Sequence, residues 1–186
     1  MSTFSIQILR QGWLQGVPAE KDLCSHGRIR LEIGGQPITS GDEEFGISES
    51  ALALLRTLLS DHTAAHPMAE RLIPHGCGTL LMLGCGLGVD WSVLHQGETV
   101  ALGNVVRYDG AGATQAALFP DINVVLNEAE YASQIVQFAL EARRPFEGQI
   151  KDTSDEDVPG EFAEFWKEFD HILVKVGADL PRAKAV

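Results

Sequence analysis

Hydrophobic and polar positions alternate along residues 3–9, where Phe4, Ile6 and Ile8 fall on one side of an extended chain. The alternation is cleaner over 28–33. Ile29, Leu31 and Ile33 face one way and Arg28, Arg30 and Glu32 the other, as in a sheet with one dry and one wet face. Gly34 and Gly35 then predict a tight hairpin into a short return strand around Ile38. Residues 77–83 are a nearly continuous apolar run, the pattern of a central strand. Val89, Trp91 and Val93 alternate again, and after a turn at "HQGET" the pattern resumes through Val100 and Leu102 towards 105–108. A Gly- and Ala-rich loop over 110–117 leads to a short strand at 122–126.

Three segments carry helical spacing instead. The first starts at Ser48 as N-cap with Glu49 in the first turn, shows Leu52, Leu55, Leu58 and Leu59 as its apolar stripe, and ends near 61–63, before Pro67. The second starts at Asn127 with Glu130 in capping-box spacing and presents Tyr131, Ile135, Phe138 and Ala142 before Pro145. The third, over 161–173, presents Phe162, Phe165, Trp166, Phe169 and Leu173, a stripe that reads as core, or else as an oligomer interface. The middle strands lie too close in sequence for crossover helices, so their pairing is antiparallel. The expected fold is therefore α+β: a mainly antiparallel meander sheet packed by three helices. It forms one domain over 1–186, with 1–25 and 174–186 at its periphery.

Charge narrows the partners. With 14 basic against 26 acidic residues the net charge is -12, which disfavours nucleic acid and anionic membrane, both of which demand clustered Lys and Arg. A basic protein partner suits such a surface. The acids are also clustered. Eight lie between 151 and 172 (Asp152, Asp155, Glu156, Asp157, Glu161, Glu164, Glu168 and Asp170), and Asp42, Glu43 and Glu44 form a second run. The bland account is a solvated loop and helix face. The functional account is a steering patch, with Asp155, Glu156, Asp157, Glu161 and Glu164 as the partner-binding residues. No apolar run is long enough to span a membrane, and "MSTFSIQILRQGW" lacks the parts of a signal peptide. Three cysteines, Cys24, Cys77 and Cys85, cannot all pair within one chain, so reduced thiols and a cytoplasmic location are expected.

The string most suggestive of chemistry is "LLMLGCGLG". Gly84, Gly86 and Gly88, after the strand-like 80–83, resemble the first motif of S-adenosylmethionine-dependent methyltransferases over about ten residues. That resemblance implies a small-molecule enzyme with a cofactor loop at Gly84–Gly88. The pattern departs from it at Met82, where the family carries an acidic residue. It departs again after Gly88, where strand alternation replaces the helix the loop should open. A bend between two strands accounts for the same glycines.

Cys24 and His26, and likewise His75 and Cys77, are spaced by two, so each pair shares a face of an extended chain. Brought together they make a Cys2His2 zinc set; kept apart they are buried cysteines with hydrogen-bonded histidines. A Cys–His–Asp hydrolase from Cys77 or Cys85, a histidine and Asp90 needs a geometry that sequence does not supply. No catalytic residue, metal or cofactor is therefore assigned. Finally, "DLCSHGRIRLEIGG", "GISESALALLRTLLSDH", "HGCGTLLMLGCGLGVDWSV" and "VVRYD" resemble segments of a bacterial protein family of unknown function, over roughly residues 22–173. In its small acidic α+β character the chain is also similar to toxin-immunity proteins, a likeness that implies a non-enzymatic protein-binding module.

Overall fold

The computed structural model describes residues 3–75, 80, 86–109, 116–154 and 158–177. The alternating segment at the N-terminus becomes β1 (Phe4–Gly12), and the cleaner one becomes β2 (His26–Ile33). They pair antiparallel, Phe4 opposite Ile33 and Gly12 opposite His26, with a register shift between Ile8 and Arg10. Gly27 lies at that crossing, where a Cβ would stand 1.8 Å from the Arg10 carbonyl oxygen. Gly34 and Gly35, at φ 64° and 73°, form the expected tight turn, and β3 (Gln36–Pro37) returns along β2. The short β4 (Phe45–Gly46) pairs with the start of β2, completing a four-stranded sheet in which β2 is central. The start of β1 thus contributes to the core: Phe4 is fully buried and Ile6 nearly so, while Gln7, Leu9 and Arg10 are exposed.

The second sheet is a meander in the order β5 (Ile73–Pro74), β6 (Leu87–Gln96), β7 (Thr99–Asp109), β8 (Ala116–Asn127), antiparallel throughout. Its strands are longer than the apolar alternation alone predicts; β8 starts six residues before Ile122. Of the apolar run 77–83 only Leu80 is described, and it is a buried turn residue. The expected α+β fold of antiparallel strands packed by three helices is present, with the strands divided into two sheets of four among the described residues. The rings of Phe4, Trp91 and Tyr131 meet where the two sheets share a core, with centroids 6.2 Å and 5.2 Å from Phe4.

Helix α1 (Ile47–Arg56) differs from its sequence reading in three ways, the first being that it ends at Arg56 and not near 61–63. Gly46, not Ser48, is the N-cap, because the Ser48 hydroxyl is engaged elsewhere, accepting the Ser25 N–H at 3.0 Å. The helix is also buried on every side from Ile47 to Leu55, so no stripe distinguishes it. Leu59, placed in the stripe by spacing, lies past its end and is exposed. Helix α2 (Glu128–Arg143) starts where expected: Asn127 Oδ1 accepts the Ala129 N–H at 2.9 Å. A 3-10 turn over Arg144–Phe146 follows. Helix α3 (Glu161–Lys175) starts after Gly160, whose φ of 84° is a left-handed value. Phe165 and Phe169 are buried, while Phe162 and Trp166 are half-buried against Phe146. Most of the aromatic stripe is thereby used inside the molecule. The described residues contain no helix long and apolar enough to cross a membrane.

Candidate functional site

The left-handed Gly160 turns the chain sharply into α3, leaving an open groove of about 360 Å³ between the first turns of α3 and the side of α1. Its floor is apolar, formed by the buried Leu52 and Phe165, and Val158 stands exposed at one rim. The other rim carries Glu161, Glu164 and Glu168, one turn apart along α3, with Arg56 beside them. Glu168 accepts two hydrogen bonds from Arg56, both at 2.7 Å. Those bonds outweigh its partial burial and hold the carboxyl below its ordinary range. Glu164 pairs with Lys167 at 3.0 Å, and both side chains are largely exposed. Two of the five residues expected to bind a partner, Glu161 and Glu164, are thus brought to one groove. Asp155, Glu156 and Asp157 lie outside the described residues.

Other described acids of the two runs are also engaged by neighbouring groups. Asp170 pairs with Arg143, and Asp152 is held by Ser154 and by Lys21 at 3.8 Å. The run Asp42, Glu43 and Glu44 is answered by the chain's own arginines. Glu44 meets Arg10 and Arg28, Asp42 lies 3.5 Å from Arg28, and Glu43 lies 3.9 Å from Arg107. Burial works against ionising Glu44, yet the guanidinium hydrogen bonds prevail and its carboxyl titrates below the usual value. This second run is therefore not a free negative surface.

The glycine motif is only partly described. Gly84 lies outside the described residues, Gly86 precedes β6, and Gly88 is inside β6, paired with Pro74 on one side and Tyr108 on the other. A strand, not a helix, follows it through Trp91 and Val93, so the strand–turn–helix order that the methyltransferase resemblance implies is missing at this point. A Cβ on Gly88 would lie 2.7 Å from both the Arg71 side chain and the Ile73 carbonyl oxygen. The glycine here admits a neighbouring strand. Polar groups around it are occupied: Arg71 donates to Leu87 O and stacks on Tyr108, Arg107 binds Asp109 and Ile38 O, and His75 Nδ1 donates to Glu44 O.

Asp90, the acid of the Cys–His–Asp arrangement, lies 2.9 Å from His62 Nε2. His62 Nδ1 accepts the Met68 N–H at 3.0 Å, so neither ring nitrogen is left to act as a base. Cys77 and Cys85 lie outside the described residues.

A cluster that the sequence reading missed in part is formed by Asp22, Cys24 and His26, all buried, with ligand-type atoms within 4.8 Å of one another. His26 Nε2 donates to Asp22 Oδ1 at 3.1 Å, and the Leu14 N–H donates to Asp22 Oδ2 at 2.7 Å. Burial opposes the Asp22 charge, but these bonds outweigh it and lower its carboxyl. Burial, with nearby Glu49 and Asp22, pushes the Cys24 thiol well up. His75 is not in the cluster; Asp22 takes that place. The spacing D-x-C-x-H carried the signal, since it extends the Cys24/His26 alternation by one more step. No known protein family, curated protein or solved structure matches the chain.

Proposed function

We propose that this chain is a non-enzymatic protein-binding module that docks a basic segment of a partner protein in the groove between α1 and α3. The observation that carries the reading is the pairing of an apolar floor, Leu52 and Phe165, with the carboxylates of Glu161 and Glu164 on one rim. A lysine or arginine side chain fits such a groove by laying its methylene stem on the floor and its charge at the rim. Glu168 is held by Arg56 and Glu164 by Lys167, so a basic ligand would compete with these contacts for the rim carboxylates. Neutralisation of a basic toxin, as immunity-type proteins perform, is the form of this binding that a small acidic α+β chain suits. The alternative, a methyltransferase-like enzyme around Gly88, lacks support in the described residues because a strand occupies the helix position.

Selection from a displayed library of random peptides tests the proposal. The expected result is enrichment of Lys- and Arg-containing sequences, with affinity reduced at least tenfold by Glu161→Lys/Glu164→Lys and association slowed as salt rises. Selected peptides without basic residues, or equal binding to the charge-reversed variant, would overturn the assignment of this groove.

A further inference from the structure

We propose that Asp22, Cys24 and His26 form a metal site that takes a zinc-like divalent ion. Asp22 and Cys24 lie on the segment leading into β2, with a bend at Cys24, and His26 opens the strand, so that their ligand-type atoms come within 4.8 Å of one another. Their donor set, one thiolate, one imidazole and one carboxylate, matches the borderline-soft ligands that zinc prefers. Hard, oxygen-seeking ions such as calcium and magnesium are disfavoured by the same set.

Burial adds a second argument. Asp22, Cys24 and His26 are 1%, 0% and 7% exposed, which shuts out bulk water as in sites that hold metal for structure. Within this dry space the His26 Nδ1 atom is buried with no hydrogen-bond partner among the described residues. An orphaned ring nitrogen is costly, and coordination is one way to resolve it. If the ion binds through Nδ1, Asp22 accepts the Nε2–H bond and orients the ring, and Cys24 and His26 are the two protein ligands. If it binds through Nε2, Asp22 becomes a direct ligand. Either way Cys24 gives up its thiol proton to solvent as the ion enters, and a tetrahedral ion keeps at least one position for a small further ligand.

The site also has a structural task. The segment that ends at His26 is tied to the stretch before α3 through Lys151, whose ammonium donates to Ala19 O and Asp22 O at 2.6 Å each. The Asp152 N–H donates to Glu20 O at 2.7 Å. An ion at Asp22 would stiffen this junction.

Cobalt(II) is the probe, because a thiolate ligand gives it a charge-transfer absorption that water and carboxylate do not. The full chain carrying Cys77→Ser/Cys85→Ser retains Cys24 as its sole thiol. Titrated metal-free under reducing conditions, it is expected to bind one equivalent of cobalt with that absorption, and excess zinc(II) should abolish it. Zinc should also raise the thermal midpoint of the unmodified chain, and His26→Ala should remove that rise. Absence of the absorption in the folded single-thiol chain would overturn the proposal. So would an absorption that persists at full strength in the Cys24→Ser chain, which would place the thiolate at Cys77 or Cys85.

Discussion

At Gly88 one hydrogen atom decides between two readings of the same string. A cofactor loop uses glycine so that a ligand can approach the backbone; here the approaching groups are the Ile73 carbonyl oxygen and the Arg71 side chain, each 2.7 Å from where a Cβ would be. The φ of 153° adds conformational strain for any other residue. Gly88→Ala is therefore expected to lower unfolding free energy by about 1–3 kcal/mol, read as a reduced urea midpoint at unchanged slope. An alanine variant as stable as the parent would show that β5 does not press on this position. The alternation of Val89, Trp91 and Val93 already pointed to a strand here, because period two is a local property. Which atom fills the space beside a glycine is a tertiary property, and no spacing in the chain encodes it. Asp22 illustrates the same divide. Its two-residue offset from Cys24 was visible, but its union with His26 depends on burial that a sequence pattern does not report.

Elements were legible where they have one wet face and obscure where they have none. Strands β1, β2, β6 and β7 alternate, and α2 and α3 carry stripes, so each was found close to its observed bounds. Helix α1 is buried all round, and its start depends on Ser48 bonding Ser25, 23 positions away, so the local cap rule misplaces the N-cap by two residues. The division of strands into two sheets was equally hidden, since every hairpin in either sheet obeys the same antiparallel pattern. The aromatic stripe of α3 was readable as core or as an oligomer interface, and burial separates these. Phe169 is fully buried and its ring meets that of Trp166 in a tilted contact, centroids 4.9 Å apart. Phe169→Ala is expected to cost about 3–5 kcal/mol through the lost contacts and residual cavity. Because the ring is internal, the urea midpoint of parent and variant should not depend on protein concentration. A midpoint that rises with concentration would return the stripe to an interface.

Across the whole molecule, a net charge of -12 opposes folding by self-repulsion, yet several carboxylates are placed to favour the folded state. Glu44 is bonded by Arg28 and Arg10, Glu43 by Ser40, and Glu168 by Arg56, and each carboxyl is lowered from its ordinary value of 4.5. For Glu44 and Glu43 the lowering prevails over burial, the largest single influence on each; for Glu168 the Arg56 hydrogen bonds come first. Since the folded values lie below the unfolded ones, the folded chain holds fewer protons than the unfolded chain in the acid range. Their contribution to stability is complete above 4.5 and disappears as pH falls through the lowered values, where both states become protonated. Stability from these groups should therefore be level near neutrality and decline once pH drops below 4.5. Glu168→Gln isolates one of them. It leaves the shape of the side chain but cannot ionise, so the variant should be less stable than the parent at neutral pH and approach it in acid. Urea midpoints measured across that range decide the point. A parent–variant gap that stays constant with pH would mean that Arg56 and Glu168 contribute through packing alone, and that acid sensitivity originates in other carboxylates.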